Sequence, residues 1–152
     1  MANSNYVAIL AEVKSLLAAA TDVGTKVYDY KRWAADWSTF LNLFKSNGLI
    51  KGWEITRRAR GEEAGTSRTN KATHVFVIYG YYSVDDSART EAPFQLILEN
   101  ICDKFRNVAT LNNEALESLP IQVIIQEQRT LGSVLVHYAE MNLSVTEEIQ
   151  YT

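Results

Sequence analysis

The chain has 152 residues, with 18 acidic and 15 basic side chains and a formal net charge of −3. A chain of this size fits one domain and buries roughly 68–70% of its unfolded surface, so it needs no staples to hold a core. The small negative charge argues against nucleic-acid binding by bulk electrostatics, and the single cysteine, Cys102, excludes an intrachain disulfide scaffold.

The opening stretch "MANSNYVAILAEVKSLLAAA" has no basic leader, and Glu12 and Lys14 interrupt its apolar run. It reads as neither a signal peptide nor a membrane span. The sequon at Asn142-Leu143-Ser144 therefore lacks a secretory context, and the expected setting is cytosol-like.

Residues 5–20 have helical spacing, with Val7, Leu10, Val13, Leu16, Leu17 and Ala20 at three- and four-residue steps. Ser4 or Asn5 is placed to cap this helix, and Asp22 and Gly24 end it. In "KVYDYKRWAADWSTFLNLFKSNG", Trp33, Trp37, Phe40, Leu41 and Phe44 fall on one helical stripe. Asp36 or Ser38 is the expected cap of a short helix, and Asn47-Gly48 its stop. This stripe is read as core, with part of it available to a neighbouring subunit.

"LIKGWEITRRAR" alternates apolar and polar residues around Trp53 and Ile55. "ATHVFVIYGYYSV" is rich in β-branched and aromatic residues, with Val75, Val77, Tyr79 and Tyr81 on one face and Phe76 and Ile78 on the other. Both faces are apolar, which predicts a central strand. Between these strands, residues 60–72 read as a long flexible hairpin loop.

"SARTEAPFQLILENICDKFRN" predicts the second main helix, capped by Ser87 or Thr90, with Pro93 in its first turn and Phe94, Ile97, Leu98, Ile101 and Phe105 buried. Glu91 complements the helix dipole. "LNNEALESLP" is a polar connector. "IQVIIQEQRTLGSVLVHYAEMNLSVTEEI" reads as two strands around a turn at Thr130–Gly132, the second with Leu135, His137, Ala139, Met141, Leu143 and Val145 on one face. The order predicts an α+β two-layer sandwich: a mixed, mostly antiparallel sheet of about four strands, two main helices on one face and a short extra helix. Residues 1–152 form one domain.

Catalytic signatures do not emerge. "GEEAGTS" lacks the glycine spacing, the lysine and the following helix of a phosphate loop. His74 and His137 lie on different strands with no partner at metal spacing, and Cys102 has no histidine placed to activate it. The adjacent carboxylates Glu62-Glu63 and Glu147-Glu148 read as solvated. No serine sits in a nucleophile elbow, and no glycine fingerprint marks a dinucleotide site. The expectation is a protein that is not an enzyme and uses no cofactor or metal. The basic stretch "TRRAR", with Arg68 and Lys71 beyond it, reads as a surface charge cluster or a docking arm.

Taken in order, the N-terminal helix, "KVYDYKRW", "NGLIKGWEITR", a polar loop, "THVFVIYGYYS", "APFQLILENICDKFRN" and a hairpin ending "VHYAEMNLSVTEE" resemble the tail terminator, or tail completion, proteins of long-tailed bacteriophages. The resemblance spans about residues 5–149 and rests on element order and local stretches. It implies a mixed sheet with helices on one side. It also implies a homo-oligomeric ring, typically hexameric, that sits on the last ring of the tail tube, stops its polymerisation and meets the head connector or stopper protein.

DNA would cross the lumen without specific binding, and no membrane is involved. The place implied is the tail or neck of the virion, after assembly in the host bacterial cytoplasm. The interface residues expected are Arg57, Arg58, Arg60, Glu62, Glu63 and Arg68 on the loop and its flanks, then Tyr28, Tyr30 and Trp33. The loop is expected to order on binding. Two alternatives stand beside this reading: another neck protein, for head completion or stopping, and a small-molecule-binding α+β regulatory domain.

Overall fold

Strand alternation and two amphipathic helices organise residues 4–151, which a computed structural model describes. The order is α1 (Tyr6–Ala19), β1 (Lys26–Tyr28), α2 (Trp37–Asn42), β2 (Lys45–Ser46), β3 (Leu49–Ala64), β4 (Thr69–Ser83), α3 (Glu91–Asn107), β5 (Glu117–Ser118), β6 (Gln122–Leu131) and β7 (Val134–Gln150). The fold is α+β, with seven strands in a mixed, mostly antiparallel sheet whose main path is β1-β3-β4-β7-β5. β6 also pairs with β7, β2 pairs with β3, and β1 joins β3 in parallel. The four long strands are the ones alternation predicts. β1, β2 and β5 hold two or three residues each, too few to carry a period.

One face of the sheet presents Trp53, Ile55, Phe76, Ile78, Ala139, Met141, Leu143 and Val145 to α1 and α3. α3 buries Phe94, Ile97, Leu98, Ile101 and Phe105, the predicted stripe. α1 buries Ile9, Val13, Leu16 and Leu17, whereas Val7 is 77% exposed. Val7 precedes Ile9 by two positions, roughly 200° around the helix, so both cannot face the sheet. The other face carries a second cluster, with Leu41 and Phe44 against Ile50, Tyr81, Val136 and Tyr138.

Close approach of the layers depends on two glycines. A Cβ on Gly52 would lie 2.3 Å from Phe44 Cδ1, and one on Gly80 2.3 Å from Trp53 Cζ3. Trp53 is fully buried, and its indole N–H donates to the Val23 carbonyl at 3.0 Å.

Several local expectations change. α2 begins at Trp37, where Asp36 caps it by accepting the Thr39 N–H at 2.8 Å. Trp33 therefore lies outside the helix, 82% exposed, and does not belong to the core stripe. Asn47 and Gly48, at φ 54° and 79°, form the turn joining β2 to β3 rather than a helix stop. The last hairpin turns at Gly132 and Ser133, because β6 continues through Leu131. Thr90 is the N-cap of α3, but its hydroxyl bonds Asp85 N–H at 2.9 Å and His137 Nε2 at 2.8 Å and leaves the helix amides uncapped.

Candidate assembly surface

The segment expected to be a long loop is an arm of the sheet. β3 and β4 stay paired from Ala59↔Val75 to Ala64↔Asn70, and β7 continues alongside to Thr69↔Gln150. Only 65–68 turn the chain, with Ser67 and Arg68 at positive φ and the Gly65 N–H bonded to the Thr69 carbonyl at 2.8 Å. The expectation of a loop over 60–72 is corrected accordingly. Glycine and polar composition reads as loop, but residues 59–64 pair with β4, and β4 pairs in turn with β7, a strand more than seventy residues away in sequence, which holds the arm extended.

A bulge at Arg58 interrupts the β3–β4 register between Arg57 and Ala59. It places Arg57 and Arg60 on the helix side despite their odd spacing. Arg57 lies 4.3 Å over the Tyr6 ring and reaches His74 Nδ1 at 3.3 Å. Arg60 pairs with Glu62, which also accepts from Asn70 at 2.7 Å, and these bonds hold the Glu62 carboxyl below the usual carboxylate range. Glu63 faces Lys71, and Lys71 faces Glu148, in one cross-strand row. Arg68 sits at the tip, where its carbonyl accepts the Tyr151 N–H at 2.8 Å.

Tyr28, Tyr30 and Trp33 are not on the arm. Tyr28 ends β1, whereas Tyr30 and Trp33 belong to a strap, residues 29–36, that crosses the sheet face opposite α1 and α3. The fully buried Glu54 anchors it, accepting the Arg32 N–H at 2.7 Å, Lys31 Nζ at 3.3 Å and the Tyr81 hydroxyl at 2.9 Å. Burial and the neighbouring Glu54 charge push the Tyr81 phenol far up, so it stays a donor. Lys31 also caps the Tyr79 ring at 3.9 Å, and Arg32 lies over Tyr28 and Tyr30 at 4.6 and 5.2 Å. Beneath the strap is a cavity of about 520 Å³, walled by Trp33, Trp37, Phe40, Tyr81, Tyr138 and Arg129 among others. Glu54 is not singled out by the sequence, because it falls on a polar position of an alternating strand.

Glu147 was expected in solvent and is instead 3% exposed. It accepts the Asn5 N–H and the Ser4 hydroxyl, each at 2.8 Å, and lies 2.5 Å from His74 Nε2. Burial alone would raise its carboxyl, but the bonds from Asn5, His74 and Ser4 outweigh that and lower it. Glu147 thus ties the start of α1 to the base of the arm. Ser4 donates to Glu147 and not to His74, so this trio is not a nucleophile–base pair. Desolvation lowers the pKa of His137, also buried, below its ordinary value, against the opposing effect of Glu91.

Among the described residues no acidic, histidine or cysteine cluster is arranged to hold a metal, and no helix is long and apolar enough to cross a membrane. No protein-family model matches the chain, and no curated protein matches it.

Proposed function

We propose that this chain is a virion assembly protein of the tail-terminator type. In this reading copies close into a ring, with six the number the resemblance implies, cap the tail tube, stop its growth and join it to the head connector. DNA passes through the lumen without being specifically bound.

The observation that carries the reading is a pair of open edges on one sheet. Among the described residues, β3 has no partner on its outer side beyond Glu54, where β1 ends, and β6 has none besides β7. The two edges lie on opposite sides of the sheet and run in opposite directions. Copies related by rotation can therefore meet edge to edge, and such heterologous contacts close into rings. Unpaired edges are a liability that an assembly partner removes. Exposed Trp33, Trp37 and Tyr30 add the aromatic and arginine-rich surface that interface anchors favour.

A second reading rests on the cavity beneath the strap, whose aromatic walls and basic groups suit a small ligand. Negative-stain imaging of the purified chain, alone at high concentration and mixed with polymerising tail-tube protein, separates the two. Open-centred rings, or tubes capped at one end and halted in length, support the terminator. A monomer without effect on tubes moves the weight to the ligand-binding domain or to another neck protein.

A further inference from the structure

The sheet is electrically lopsided along its own cross-strand rows. Arg60 stands in a row with His74, Val145 and Ser118, and Gly61 in the next with Thr73, Thr146 and Glu117. Across these two neighbouring rows the β3 edge, with Arg60, is the basic one and the β5 edge, with Glu117, the acidic one. At the basic edge, Arg57 and Arg58 are exposed and form no ion pair with any described residue. At the acidic edge, Glu117 is exposed and likewise unpaired, and Glu114 accepts only from Asn5.

The acidic edge also carries apolar surface. Leu116 is 47% and Leu119 53% exposed. They are held in place rather than loose, because the Leu116 N–H donates to the Thr146 carbonyl and the Leu119 N–H to the Ser144 carbonyl, both at 2.9 Å.

We infer that the occupant of this acidic edge is a second copy of the chain, through the Arg57–Arg60 edge of its β3. The contact rests on the ring reading and supplies its polarity: one copy's Arg58 meets the next copy's Glu117. The aliphatic stems of the arginines cover Leu116 and Leu119 while their guanidinium groups reach the carboxylates. Opposite charges at the two ends of one sheet favour head-to-tail contact. They disfavour head-to-head contact, which would set like charges against each other. The arginines on β3 thus bind carboxylates of the neighbouring copy rather than DNA.

Charge reversal tests this contact. Arg58→Glu and Glu117→Arg are made singly and together, and association is followed by sedimentation velocity alone and by tube capping with tail-tube protein. Both positions are exposed, and matching thermal melts confirm that the variants fold. Each single reversal is expected to raise the concentration needed for assembly about tenfold or more, and the double variant to recover it. Added salt should weaken the wild type and the double variant alike. Rings or caps unaffected by either reversal would overturn this contact and leave the ring standing. Failure of the double variant to recover would overturn it as well, assigning the two edges to different partners. A wild-type chain that stays monomeric, and leaves tubes uncapped, would overturn the ring and the contact together.

Discussion

Glu54 accepts the backbone N–H of Arg32 at 2.7 Å in a fully buried position, so the strap carrying Tyr30 and Trp33 hangs on one carboxylate in the middle of the sheet. Removing it strands the Tyr81 hydroxyl and the Arg32 amide and frees Lys31. Glu54→Ala is expected to destabilise the fold by about 2–4 kcal/mol, and Glu54→Gln, which keeps one acceptor, by about 1–2 kcal/mol. Urea unfolding of the two variants checks both the size and the order of these losses.

Glu147 plays the corresponding part on the other face. Glu147→Ala leaves the Asn5 amide, the Ser4 hydroxyl and His74 without their acceptor. The expected cost is about 2–4 kcal/mol. Hydrogen exchange should locate it, with faster exchange in the first turn of α1 and at the base of the arm, and the amides of α3 changing least.

Acid should act in two steps. Folding holds the pKa of His137 below its free value, so the unfolded chain binds more protons as pH falls through about 6.5, and stability drops there. The loss stops growing below the folded value. Glu147 is also lowered, from 4.5, so the stability its ionised form contributes is present above that pH and disappears as pH falls through the depressed value. Thermal melts across this range should show both steps, and His137→Asn should flatten the first while leaving the second.

Gly80 tests the packing of the layers. An added methyl would meet the Trp53 ring at 2.3 Å, and Trp53 is walled in by Phe94. Gly80→Ala is expected to cost about 1–3 kcal/mol and to change the Trp53 fluorescence in the native state. An unchanged denaturation midpoint would mean that the core gives way more readily than this geometry implies.

Regular periods were legible in the sequence. The α3 stripe from Phe94 to Phe105 and the two faces of β4 and β7 follow from the 3.6- and 2-residue repeats, because long elements repeat their pattern many times. The arm was not legible: Gly61 and the polar residues around it have low strand propensity, and pairing with β4, itself held by β7, overrides it. Glu54 and Glu147 were missed for a related reason. A carboxylate reads as solvated until the chain brings donors to it, and theirs come from residues up to 143 positions away. Of the expected interface, Arg57, Arg58 and Arg60 fall together on an exposed edge, whereas Tyr30 and Trp33 belong to the strap and Tyr28 to β1.

The most direct test of the assembly account is to tag the chain and locate the tag by electron microscopy on intact tails. The account predicts label only at the head-proximal end of each tail, on a ring flush with the tube. Label spread along the tube, or absent from tails altogether, would contradict it.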